Sequence, residues 1–153
     1  MNTETNTVKL PSWVLWSLII VSFIGFLDAT YLTVSHYTGS ALNCTLLKGC
    51  DVVTTSKYSE IFNIPVALLG MLFYFTMLVL SLLYLDTKHR TILKFIPILG
   101  FMGFLASIWF VYSQVVLIEA LCQYCMLSAI TSTILFILSL YVSKYRKDRS
   151  CGL

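Results

Sequence analysis

Four apolar runs dominate this sequence and leave little choice of fold. The first is Trp13–Val34, opened by Pro11-Ser12, and the second is Pro65–Leu85. The third runs from about Ile92 to Leu117 and the fourth from about Leu121 to Val142. Each reaches the roughly 20 residues that cross ~30 Å of hydrocarbon as an α-helix. Pro65 falls in a first helical turn, where its missing N–H has no partner to lose. Pro97 sits early in the third run and is expected to bend that helix without ending it. A chain that is 58% apolar and 11% charged is no ordinary soluble or disordered domain. The expected fold is all-α: a four-transmembrane-helix bundle with a long outer loop between helices 1 and 2. The division is a tail over 1–12, a membrane domain over 13–143 and a basic tail over 144–153. The first run exceeds the apolar core of a signal peptide and no Ala-x-Ala site follows it, so it reads as a membrane helix.

Four spans put both termini on one side. Lys9, Lys88, Arg90, Lys94, Lys144, Arg146, Lys147 and Arg149 then share that side, and only Lys48 and Lys57 lie on the other. The positive-inside rule places the termini in the cytoplasm, in a cell inner membrane, with the first loop outside. Trp13, Trp16, Tyr84, Tyr141 and Tyr145 fall near the inner boundary, and Tyr31, Tyr37, Tyr112 and Tyr124 near the outer one, as an aromatic belt requires. The net charge of +3 is therefore a topology signal and gives no reason to expect nucleic acid.

This topology sorts the five cysteines. Cys44 and Cys50 occupy the outer loop, and Cys122-Gln123-Tyr124-Cys125 stands where the fourth span begins. Cys151 is alone in the inner tail and reads as a bystander. Outside the cytoplasm thiols tend to become disulfides. Two cysteines three apart at a helix start lie on adjacent turns, and the positive end of the helix dipole stabilises a thiolate there. The loop carrying the first pair is well past the ~12–15 residues at which plain connectors become uncommon. A pair on a loop beside a fixed pair permits thiol–disulfide exchange. Two structural disulfides bracing the loop of a non-enzymatic scaffold would also account for the pattern, and a zinc site fits the spacings only in half. A c-type haem is excluded, because Met126 and not His follows Cys125.

Cys50-Asp51-Val52-Val53-Thr54-Thr55-Ser56-Lys57-Tyr58, then Ile64-Pro65-Val66-Ala67-Leu68-Leu69-Gly70 and Tyr74, resemble the vitamin K epoxide reductase family. Cys44, Tyr31-Leu32-Thr33 and the Cys122–Cys125 motif complete the pattern, which extends roughly from Trp13 to Val142. The five-residue gap between Cys44 and Cys50 is similar to prokaryotic members. The resemblance implies a four-helix bundle around a quinone pocket near the outer surface, and re-oxidation of a thioredoxin-fold thiol oxidase. Carried over, Cys44 receives the partner's thiolate, Cys50 attacks Cys122, and Cys125 reduces the quinone. Ser56 corresponds to a family residue beside the pocket, though on chemistry alone a helix-capping or turn serine explains it better. The tyrosine that animal enzymes place four residues after the second CxxC cysteine is Ala129 here, and their pocket asparagine falls at Val66. Those two departures point from vitamin K epoxide toward a respiratory quinone, ubiquinone or menaquinone, with quinone or epoxide recycling as the rival activity. Some members carry a fused thioredoxin-like domain; this chain is expected to meet its partner in trans. No metal is required.

Asp28 is the one clear acid within a span, and such a residue is a functional-site candidate by default. It is either a proton donor to reduced quinone or a neutral acid hydrogen-bonded to a neighbouring helix, the commoner role of buried polar groups. It joins Ser56, Val66 and Ala129 as a candidate quinone-site residue. Gln114 and His36 read as interfacial, and Asp51–Ser59 as a short helix lying on the membrane.

Overall fold

The structure is a computed structural model. It describes residues 10–38, 60–61, 64–89 and 91–151, the side chains of 60, 61, 64 and 148–151 excepted. Four long helices carry the fold, each long and apolar enough to cross a membrane. They are α1 (Ser12–Thr38), α2 (Val66–Thr87), α3 (Ile92–Tyr112) and α4 (Gln123–Cys151). A two-residue antiparallel pair, β1 (Glu60–Ile61) with β2 (Ile64–Pro65), leads into α2. The expected bundle is therefore present, and this small ladder is an addition to it.

The helices are inverted relative to those of a water-soluble bundle. On α1, Ser22, Asp28, Thr33 and Ser35 are buried among Val14, Leu18, Ala29 and Leu32, whereas Trp16, Phe23, Leu27 and Val34 are exposed. α2 buries Tyr74, Met77, Ser81 and Tyr84, and exposes Leu72, Phe75, Val79 and Leu82. In water such large apolar faces would drive association. In a bilayer they meet acyl chains, and the buried small and polar groups join helix to helix. Thr30, Thr33, Thr76, Ser81, Thr87, Ser113 and Thr133 each donate a hydroxyl to a carbonyl four residues earlier, so no donor faces lipid unsatisfied at these positions.

α1 packs against α2 and α4, and α3 packs against α4; α2 and α3 share far less contact. Three glycines set the close approaches, one of them Gly103 of α3, where a Cβ would overlap the ring of Phe73 on α2. A Cβ at Gly25 of α1 would overlap the ring of Tyr74 on α2, and one at Gly100 of α3 would overlap the side chain of Ser139 on α4. α3 continues through Pro97, as anticipated. Its last part is not α-helical: Ser113–Ile118 forms a π-helical segment, closed by Glu119 in the left-handed conformation (φ 53°). The backbone N–H of Ala120 then donates to the Gln114 carbonyl at 3.2 Å, and the chain reverses into α4. α4 runs on past Val142 through the basic tail, because Lys and Arg are good helix formers even where they leave the apolar span.

The aromatic clusters mark the two ends. Trp13, Tyr141 and Tyr145 stack at one end, with ring centroids 5.6 Å (Trp13–Tyr141) and 6.3 Å (Tyr141–Tyr145) apart. Tyr31 and Tyr124 meet at the other end at 5.1 Å, beside the CxxC segment. At the first end the Tyr84 hydroxyl accepts the Leu10 N–H at 3.1 Å and so ties the start of the described chain to α2.

Candidate functional site

Sparse contact between α2 and α3 leaves a cavity of about 720 Å³. Its wall is almost wholly apolar: Val66, Gly70 and Phe73 of α2, Met102, Gly103 and Trp109 of α3, Ala29 and Leu32 of α1, and Ala129 of α4. Leu69, Leu72, Met102, Leu105 and Trp109, also on this wall, are exposed to the surroundings of the bundle. The cavity can thus be reached sideways from the bilayer between α2 and α3. Its polar residues are few: His36, Tyr74, Thr76, Ser107, Ser128, Ser132 and Cys125.

Most of the hydroxyls among them hold one another in place. Tyr74 donates to the Ser128 carbonyl at 2.7 Å and lies 3.1 Å from the Ser128 hydroxyl and 2.8 Å from that of Thr131. The hydroxyls of Ser107 and Ser132 pair across α3 and α4. The wall therefore offers lone pairs and weak donors but, among the described residues, no charge.

The CxxC pair occupies the junction between this cavity and the turn before α4. Both cysteines are free thiols. Cys125, in the first turn of α4, lines the cavity. Cys122 is fully buried behind it, packed against Leu32 with Ala67, Ile118, Ala120 and Tyr124 around them. Gln114, also fully buried, reaches from the π-helical segment and accepts the Cys122 backbone N–H on its Oε1 at 3.2 Å. π-helical turns of this kind commonly sit at functional sites because they re-aim a side chain. Here the distortion turns Gln114 inward to hold the start of the CxxC segment.

The helix start also sets the charge state of Cys122. Hydrogen bonding from the Cys125 thiol, aided by the backbone N–H groups of Cys125 and Tyr124, lowers its pKa from the usual 9.0 to about 7, against an opposing effect of burial. These donors favour the thiolate over the thiol. The thiolate fraction in the dithiol protein should therefore rise as pH passes through about 7. Ultraviolet thiolate absorbance measured against pH checks this. The transition should vanish in Cys122→Ser and move up toward the ordinary thiol range in Cys125→Ala, which lacks the main donor. A wild-type transition near pH 9 would contradict the arrangement.

The structure brings four of the expected site residues together. Cys122 and Cys125 adjoin the cavity, and Val66 and Ala129 form part of its wall. Asp28 is buried on α1 beside Ala29, and neither carboxyl oxygen has a hydrogen-bond partner among the described residues. No described residue supplies the hydrogen-bond partner that a helix-joining role needs. Cys44, Cys50 and Ser56, with the Asp51–Ser59 segment, lie outside the described residues. Gln114 is a correction to the interfacial reading, being buried against Cys122, whereas His36, half-buried near the end of α1, also lines the cavity. His36 lies four residues after Leu32, on the same helix face, which was the available signal. Gln114 had no comparable signal, since only the turn geometry joins it to Cys122.

Compared with known protein families, residues 16–140 match the model described as the vitamin K epoxide reductase family. The match takes in most of all four helices, the cavity wall, Cys122 and Cys125.

Proposed function

The chain belongs to the vitamin K epoxide reductase family, and from that premise we propose that it is a thiol:quinone oxidoreductase that re-oxidises a thioredoxin-fold partner. The family comprises membrane thiol oxidoreductases associated with quinones, and four apolar helices make this a multi-pass membrane protein. The observation that carries the finer reading is the position of Cys125. Its thiol opens onto an apolar cavity reachable from the bilayer, with a low-pKa sulfur directly behind it.

A quinone suits these residues. The cavity volume lies within the ~300–1,000 Å³ of ordinary small-molecule sites, and its apolar wall with a few hydroxyls suits a neutral ring carrying an isoprenoid tail. When bound, a quinone supplies a two-electron, two-proton acceptor. Val66 and Ala129 cannot hydrogen-bond a head group as the polar residues of the animal enzymes do, which favours ubiquinone or menaquinone over an epoxide. Basic residues concentrated on the side of the termini support an inner-membrane orientation with the CxxC end outside.

In this reading the partner's thiolate attacks Cys44 and displaces Cys50. Cys50 attacks Cys122 and frees Cys125 at the cavity wall. The partner leaves as a disulfide, and Cys44 then attacks Cys50 and expels Cys122. The low pKa of Cys122 makes it a good leaving sulfur in that last exchange. The outer pair is then oxidised again, and Cys122 and Cys125 are reduced and ready to give two electrons to the cavity. Little driving force is required: an oxidising thioredoxin-fold couple sits near −120 mV, and ~30 mV corresponds to about 1.4 kcal/mol for two electrons.

The test offers the purified protein a reduced thioredoxin-fold protein together with ubiquinone, menaquinone or vitamin K epoxide. Hydroquinone and partner disulfide should form in equal amounts with a quinone. Turnover with the epoxide alone would move the assignment to epoxide recycling, and no turnover with any of them would reject it.

A further inference from the structure

Oxidation of the CxxC pair leaves a proton unaccounted for. With Cys122 as thiolate and Cys125 as thiol, the pair yields two electrons but one proton, whereas a quinone takes up two of each. A nearby group that holds a proton and has no other task would meet that need.

Asp28 fits this requirement on geometry. It stands on the α1 face that carries Gly25 before it and Ala29, Leu32 and His36 after it. Leu32 packs directly on Cys122, while Ala29, Leu32 and His36 line the cavity. The Tyr74 ring lies against Gly25, one turn away from Asp28. The carboxyl is 92% buried, and both its oxygens lack a hydrogen-bond partner among the described residues. A carboxylate in such a place would have neither water nor donor, so the neutral acid is the favoured form.

The titratable groups that face it come from each packed element. Tyr74 lies on α2, and Cys122, Tyr124 and Cys125 lie at the start of α4; the charge of Asp28 reaches all four. Tyr31 and His36 are the described titratable groups on its own helix face. A negative charge on Asp28 works against a thiolate at Cys122. A reduced pair carrying one negative charge therefore requires Asp28 to keep its proton. Once the disulfide forms, that charge has left the pair and the carboxyl is free to ionise.

We propose that Asp28 is the source of the second proton in quinone reduction, passing it to the cavity by way of the Tyr74 and Ser128 hydroxyls. This inference rests on the thiol:quinone reading above. The step balances: Cys122 thiolate, Cys125 thiol, neutral Asp28 and quinone give the Cys122–Cys125 disulfide, ionised Asp28 and hydroquinone. One S–S bond forms, the S–H bond of Cys125 and the O–H bond of Asp28 break, and the quinone gains two electrons and two protons. Asp28 regains its proton from the outer solution before the next turnover.

The experiment is an anaerobic single turnover of the dithiol protein with a short-chain ubiquinone, followed by hydroquinone absorbance and by the infrared carbonyl band of a protonated carboxylic acid. Wild type should show that band before mixing and lose it transiently as hydroquinone forms. Asp28→Asn should lack the band and reduce quinone on the order of 10²-fold more slowly, as removal of a general acid does. Asp28→Glu should recover most of the rate. An Asp28→Asn protein as fast as wild type would overturn the inference. So would a wild-type band absent before mixing or constant through the turnover, a readout that needs no variant to fold. Wild type unable to reduce the quinone would instead sink the thiol:quinone reading, and this step with it.

Discussion

Cys125→Ala should abolish quinone reduction, with a loss of at least about 10³-fold, the scale on which removal of a reacting nucleophile acts. Cys125 is the one thiol among the described residues that lines the cavity, whereas Cys122 is sealed behind Leu32 and Tyr124. Among the described residues no second thiol can take its place, because the motif fixes Cys122 in the preceding turn and Gln114 holds that turn by its backbone. The fold should survive. Cys125 is only partly buried and joins a small cluster apart from the main core of Leu18, Met77, Ile96 and Leu135. Thermal unfolding in detergent alongside anaerobic quinone reduction separates the two effects. A variant that melts like wild type but no longer reduces quinone is the expected result, and retained turnover would remove Cys125 from the reaction.

A second large effect should come from filling the cavity instead of removing the sulfur. Ala129 lies one helical turn after Cys125 and faces the same space, opposite the wall formed by Val66 and Phe73. A tryptophan there would occupy the volume next to the reactive sulfur without touching the thiols or Gln114. Ala129→Trp should raise the KM for quinone, or lower kcat/KM, by roughly 10²-fold, since steric exclusion from a formed apolar pocket costs more than the loss of one contact. Both thiols should remain titratable, and Cys122 should keep its low pKa. Measuring quinone kinetics and thiolate absorbance on the same variant tests this. Unchanged quinone kinetics would mean that the acceptor binds elsewhere.

What the sequence made legible follows from the kind of signal each feature leaves. The four spans were readable because a helix facing lipid is apolar on its outer surface along its whole length. Trp16, Phe23 and Leu27 on α1 show this, each at least half exposed. The bundle was also readable in the aromatic residues, and Tyr31 and Tyr124, assigned to one boundary from sequence, meet in the structure. A pocket was implied by the family resemblance, but the cavity was not readable from composition or periodicity. It arises where α2 and α3 separate, and no periodicity records a distance between helices. Gln114 was missed for a related reason: the π-helical segment Ser113–Ile118 rotates it inward, whereas an ideal helix near a membrane boundary gives no cause to expect that. Asp28 was visible as an acid within a span. Its lack of a partner depends on what α2 and α4 place opposite it, which only three dimensions supply.

The central claim is that two sulfur pairs exchange bonds, the outer loop's with the one at the cavity. The most direct measurement replaces Cys44, Cys125 and Cys151 by alanine, leaving Cys50 and Cys122 as the only thiols. The protein is then oxidised in its membrane, and disulfides are mapped by mass spectrometry without reduction. The account predicts one dominant intramolecular bond joining Cys50 to Cys122. Two free thiols after oxidation, or linkage of Cys50 only to other molecules, would contradict it.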